Sequence, residues 1–176
     1  YTAPPRYKVI TAVSTLVTEV IELGYTEKQA ADMVNDFLHL PEGVELSEFE
    51  PLASIFETPD QSKAFLMRST QLANLFNEGS RFVSSSTGNT IDRVKGSNLV
   101  VETLAEKIID QLDNNQDASV LSLSDSGDVI LVVSNARQKA ALLEPSPVTS
   151  PLIHQFQAPS ARTNLAQLDP FLSQIG

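Results

Sequence analysis

Apolar residues in this chain return every three or four positions, and most such runs end at a glycine or a proline. That period places them on one face of a helix rather than on alternating faces of a strand. The sequence is therefore committed to amphipathic helices that must bury their stripes against one another. Val13, Leu16, Val17, Val20 and Ile21 make the first stripe, on a helix that opens near Thr11 and stops at Gly24, a residue tolerant of the left-handed turn. Thr26 and Gln29 have the spacing of a capping box, and Ala30, Val34, Phe37 and Leu38 give the second helix its buried face. Pro41 and Gly43 close it, with His39 at the helix end. A third helix is expected from Ser47, carrying Phe49, Leu52, Ala53 and Phe56, with Pro51 in the first turn, where a missing amide does little harm.

Pro59-Asp60 opens a further helix through Phe65, Leu72, Leu75 and Phe76 that reaches Val83. Ser84 to Asn89 reads as an exposed turn. Val101, Leu104, Ala105, Ile108 and Leu112 mark another amphipathic helix. From Ser119 two readings compete. Residues 119–133 form a small β-hairpin on the strength of their β-branched arms. Alternatively, a helix runs from near Ser126 through Val129, Val133, Ala136, Ala140 and Leu143, which the helix-compatible stretch from Ala136 favours. The expected fold class is mainly α: a compact multi-helix domain over residues 1–144, with an extended lead-in at Pro4-Pro5, followed by a proline-rich apolar tail over residues 145–176.

Composition narrows the function classes. With 176 residues and a 41% apolar fraction, the chain is long and apolar enough to bury a core. A formal charge of −10 leaves nothing to neutralise phosphates, so nucleic acid is not an expected partner. Cysteine is absent, which removes disulfides, thiolate metal sites and cysteine nucleophiles. No run approaches the roughly 20 apolar residues of a membrane span, so membrane insertion is not expected. The opening at Tyr1, without Met or a signal-peptide pattern, suggests a piece of something longer.

Three local strings carry a family resemblance: Ser14-Thr15-Leu16-Val17, Gly24-Tyr25-Thr26-Glu27-Lys28-Gln29-Ala30, and Leu40 through Ala53, LPEGVELSEFEPLA. In order and spacing they resemble a helical module recurring in very large bacterial surface and secreted proteins, adhesin-like and calcium-rich ones among them. The usual pattern of that module is TTLV, GLS/T-E-x-x-A and LPxxVDLxxFDPLA. The likeness is strong over Ile10 to Ala53 and weak as far as residue 143, and it also favours the helix over the hairpin. It implies a non-enzymatic structural or interaction module at the bacterial cell surface or outside the cell, one that positions or assembles neighbouring modules or subunits. An accessory domain of a larger secreted enzyme is a further reading of the same setting.

Asp113, Asn115 and Asp117 sit at alternating positions after a helix end, with Val120 at the eighth place, and resemble the opening of an EF-hand or dockerin loop. Hard Ca²⁺ takes such oxygen ligands, which makes a calcium-responsive binding module the alternative reading. Ala118 stands where the sharp turn wants glycine, and Ser124 where the terminal bidentate acid belongs. Glu45, Glu48 and Glu50 read as charge compensation at a helix start. His39 and His154, the two histidines, belong to no metal-protease or nucleophile motif, so no enzyme and no firm cofactor is expected. In the tail, Leu152, Ile153, Phe156, Leu168 and Phe171 are too apolar for an inert linker and are the expected partner contacts, unless they wrap the helical body.

Overall fold

A computed structural model describes residues 1–42, 44–113, 123 and 125–143. The chain is mainly α-helical there: α1 (Ala12–Glu22), α2 (Glu27–Leu38), α3 (Pro59–Ser86), α4 (Arg93–Asp113) and α5 (Ser126–Leu143), with one 3₁₀ turn, Ala53–Ile55. It divides into two compact units, with the boundary at Leu72/Ala73 inside α3. Among the described residues no helix is long and apolar enough to cross a membrane.

The first unit pairs α1 with α2. Both open on reciprocal caps. At α2 the Gln29 N–H donates to Thr26 Oγ1 at 3.3 Å, while the Thr26 N–H donates back to Gln29 Oε1 at 3.1 Å. At α1 the Ser14 N–H donates to Thr11 Oγ1 and the Thr11 N–H to Ser14 Oγ, at 3.1 and 2.8 Å. Each such cap is worth about 1 kcal/mol. The expected stripes are buried at Val13, Leu16, Val17 and Val20 on α1 and at Ala30, Val34, Phe37 and Leu38 on α2, while Ile21, expected on the α1 stripe as well, is half-buried.

The third helix expected from Ser47 does not form. Pro51 has no N–H to give to the Ser47 carbonyl, which accepts from the Lys8 N–H instead at 3.3 Å. The segment proceeds through turns into the short 3₁₀ turn. Phe49 keeps a partner, the Phe65 ring of α3 at a centroid distance of 5.3 Å, but Leu52 and Phe56 are 70% and 81% exposed rather than buried. The three glutamates therefore compensate no helix start. Lys8 pairs with Glu48 at 2.8 Å and with Glu50 at 3.5 Å.

The second unit joins the end of α3 to α4 and α5. Gly79 lets α3 approach so closely that an added Cβ would stand 2.9 Å from Val100 Cγ2 and 3.3 Å from Val133 Cγ2. Lys139 of α5 reaches Glu102 and Glu106, one turn apart on α4, at 3.0 and 2.7 Å. Burial works to lower its pKa, but the bonds to the two carboxylates outweigh it and the net shift is upward. The stretch expected as an exposed turn is helical to Ser86, and Ser84, Ser86 and Thr87 are buried. Their hydroxyls are satisfied locally: Ser86 Oγ and Thr87 Oγ1 both donate to the Val83 carbonyl at 3.0 Å.

Over residues 126–133 the hairpin reading gives way to helix α5. Asp125 Oδ1 accepts from the N–H groups of Gly127 and Asp128, and its carbonyl accepts from Val129, which fixes a helix start that a strand cannot share. Residues 119–122 and 124 lie outside the described residues.

Candidate functional site

The first unit carries a cleft of about 720 Å³ built from three pieces of chain: Arg6 and Tyr7 of the lead-in, the face of α2 from Thr26 to Asn35, and Val44 to Ser47. Its position follows from local anchoring. The lead-in is tied to α1 through Thr2, whose N–H donates to Thr15 Oγ1 at 2.9 Å and whose carbonyl accepts from Ser14 Oγ at 3.0 Å. A turn follows, closed by the Tyr7 N–H on the Pro4 carbonyl at 3.0 Å, and the Lys8 N–H then docks on Ser47. The far wall is held by Asn35, whose Nδ2 donates to the Val44 carbonyl at 3.0 Å. The Gln61 side chain supports the same segment by donating to the Glu42 carbonyl at 2.7 Å.

Three buried side-chain polar atoms have no hydrogen-bond partner among the described residues: Tyr7 OH, Asn35 Oδ1 and Ser62 Oγ. Two of the three belong to residues of this cleft. Buried polar groups are almost always paired, because an unmade bond leaves the desolvation cost uncompensated. Burial, with a smaller push from the negative Glu27, raises the Tyr7 phenol to about 12, so it is protonated and a donor at neutral pH. Asn35 Oδ1 is an acceptor.

Charge on the walls is mixed. Glu27, Asp32 and Glu45 contribute carboxylates, Arg6 and Lys28 cations. Lys28 is already engaged by Asp32 at 2.8 Å, a well-exposed pair one turn apart on α2. Apolar surface comes from Ala31, Val44 and Leu46. Such an arrangement can orient a ligand by hydrogen bonds and charge.

None of the residues singled out from the sequence as candidate ligands or contacts lies in this cleft. Asp113 is the last residue of α4, and Asn115, Asp117 and the Asp113 side chain lie outside the described residues. So do Leu152, Ile153, Phe156, Leu168 and Phe171. Among the described residues no group of three or more metal-ligating side chains is gathered. Tyr7 and Asn35 gave no signal in the sequence: one sits in a proline-rich lead-in, the other on the polar side of an amphipathic helix. The anchoring of residues 1–8 on α1 and on Ser47 brings both to one cleft. Compared with known protein families, with curated proteins and with solved structures, the chain gave no match.

Proposed function

We propose that this chain is a non-enzymatic interaction module of a bacterial extracellular or cell-surface protein, one that positions or assembles neighbouring modules or subunits. The surface setting rests on the resemblance of Ile10–Ala53 to the recurring helical module. The observation that carries the interaction role is the exposure of Leu52 and Phe56, at 70% and 81%, on the segment that Pro51 diverts from helix. Two large apolar side chains four residues apart, held out by a 3₁₀ turn, make a surface that gains by being covered. The proline-rich segment 145–176, with Leu152, Ile153, Phe156, Leu168 and Phe171, is assigned the second contact.

Sedimentation velocity of the full chain over a wide concentration range tests this reading. Concentration-dependent assembly is expected, lost in Leu52→Ser/Phe56→Ser with the helical circular-dichroism signal unchanged. Deleting residues 145–176 is expected to weaken association while preserving helical content. A chain that stays monomeric throughout, with the double variant indistinguishable from it, overturns the proposal.

A further inference from the structure

The exposed pair Leu52 and Phe56 sits on an acidic run of the chain. From Glu42 to Asp60 the sequence has six carboxylates and no lysine, arginine or histidine. Lys8 reaches two of them, Glu48 and Glu50, and among the described residues no cation pairs with Glu57 or Asp60. Glu57 adjoins Phe56 in the chain, and both it and Asp60 are exposed, so negative charge borders the apolar surface. We propose that the Leu52–Phe56 surface of one copy takes the Arg93-Val94-Lys95 corner of another copy, so that copies join head to tail. The inference rests on the reading of the chain as an interaction module and names the partner of that apolar surface.

Of the exposed large apolar side chains among the described residues, Val94 alone stands between two cations, Arg93 and Lys95. It is 71% exposed, and local packing holds it out. Ile91 is buried, and Gly96 lies so close to α3 that an added Cβ would stand 3.0 Å from the Ser80 carbonyl oxygen. The four residues between them are all exposed. Asp92 fixes the turn, its Oδ1 accepting from the Lys95 N–H at 2.8 Å and its carbonyl from the Gly96 N–H at 2.9 Å. Cations in the first turn oppose the helix dipole, whose positive end favours carboxylates. Arg93 and Lys95 therefore work against the start of α4, a local cost of the kind that accompanies a binding surface.

The same charges decide the mode of contact. Two Leu52–Phe56 surfaces face to face would set Glu57 and Asp60 of one copy against those of the other, a like-charge contact that costs affinity. The acidic apolar surface on the basic apolar corner gains from both charge and burial. Such a pairing uses a different patch on each partner, so every bound copy still offers one patch to a further copy. The patches are small, which makes the contact weak, transient and sensitive to salt.

The test is sedimentation velocity of the full chain with two variants, each blocking one side: Leu52→Ser/Phe56→Ser and Arg93→Glu/Lys95→Glu. Each alone should need at least about tenfold higher concentration than the parent to assemble, with helical circular dichroism unchanged. Where each alone is monomeric, their equimolar mixture should give a heterodimer and nothing larger, since each variant keeps the side that the other lacks. The unfolding midpoint of Arg93→Glu/Lys95→Glu should stay level or rise, because carboxylates suit the first turn of a helix. A merely structural role for the two cations would lower it. Raising sodium chloride from about 50 to about 500 mM should weaken parent assembly several-fold. A mixture that stays monomeric, or Arg93→Glu/Lys95→Glu assembling like the parent, overturns the proposal. Assembly that survives that variant but is lost without residues 145–176 gives the surface to that segment and overturns it too. If Leu52→Ser/Phe56→Ser still abolishes assembly in those cases, the partner assignment fails alone; if the parent never assembles, the interaction reading goes with it.

Discussion

Asn35 donates its side-chain amide to the Val44 carbonyl at 3.0 Å, a bond that spans nine residues and fastens the segment after α2 to the helix it has just left. Without it the Val44 carbonyl has lost a donor, and the cleft has lost the anchor of its far wall. Replacing Asn35 by Asp keeps the shape but turns the donor into a second acceptor, with a charge, beside that carbonyl. The expected cost is about 2 kcal/mol at neutral pH, read as a lower urea midpoint and partly recovered in acid as the carboxylate takes up a proton. An unchanged midpoint would mean that Val44 finds another donor.

Helix ends offer a second test. The chain leaves α1, α2 and α3 by the same pair of bonds, a residue one or two positions past the helix and the one after it reaching back to adjacent carbonyls: Gly24 and Tyr25 to Ile21 and Val20, His39 and Leu40 to Asp36 and Asn35, Gly88 and Asn89 to Ser85 and Ser84. All three turning residues have positive φ, at 106°, 49° and 65°, but only the middle one carries a Cβ. His39→Gly should therefore stabilise the chain by about 0.5–1 kcal/mol, the relief of the left-handed conformation reduced by the greater freedom of glycine when unfolded. His39→Val should do the reverse, because a β-branched residue is least at ease there. Thermal unfolding of the two variants beside the parent decides it.

What was readable from the sequence follows the reach of each interaction. The α1 and α2 stripes, the Thr26–Gln29 cap and the turn at Gly24 are set by neighbours within a few residues, and each stands where spacing alone places it. The helix expected from Ser47 failed at Pro51, which has no N–H for the Ser47 carbonyl, and the donor that takes its place comes from Lys8, 39 positions away, which no periodicity registers. Ser84–Thr87 misled in the opposite sense: polar composition suggests a turn, but hydroxyls that donate to carbonyls of their own helix are buried without loss. The Thr11 cap went unnoticed because Ser14, not Glu or Gln, occupies the reciprocal position. The cleft was invisible for the reason that hid Lys8: Tyr7 and Asn35 are 28 residues apart and belong to elements with no shared pattern.

Helix α3 supplies a case in which two local rules oppose each other. Gly79 lies inside a helix, where alanine is worth about 1 kcal/mol more. An alanine Cβ there would meet Val100 Cγ2 at 2.9 Å, and Val100 is itself fully buried with a stiff, branched side chain. Overpacking of this kind costs about 1–3 kcal/mol, so Gly79→Ala should destabilise on balance. Adding Val100→Ala should restore part of the loss, giving a coupling that two independent sites would not show. Denaturant unfolding of the two single variants and the double completes the cycle; additive effects would refute the close contact as the cause.

Tyr7 ties stability to alkaline pH. Its phenol is raised from the ordinary 10 to about 12, first by burial and then by the negative charge of Glu27. The folded chain therefore keeps this proton over a range in which the unfolded chain has released it. Its contribution to stability is complete below pH 10 and is lost progressively as pH rises from 10 towards 12. Lys139 acts in the same direction, since its net pKa is also raised, so the decline of the parent alone does not isolate the tyrosine. The difference between the parent and Tyr7→Phe does. The variant should match or exceed the parent's stability at pH 7, having shed an unpartnered hydroxyl, and should lose less as pH climbs past 10. Absorbance titration of the phenolate band should, in parallel, lose its latest transition in the variant. A parent whose tyrosines all ionise near 10 would show that the Tyr7 hydroxyl reaches water.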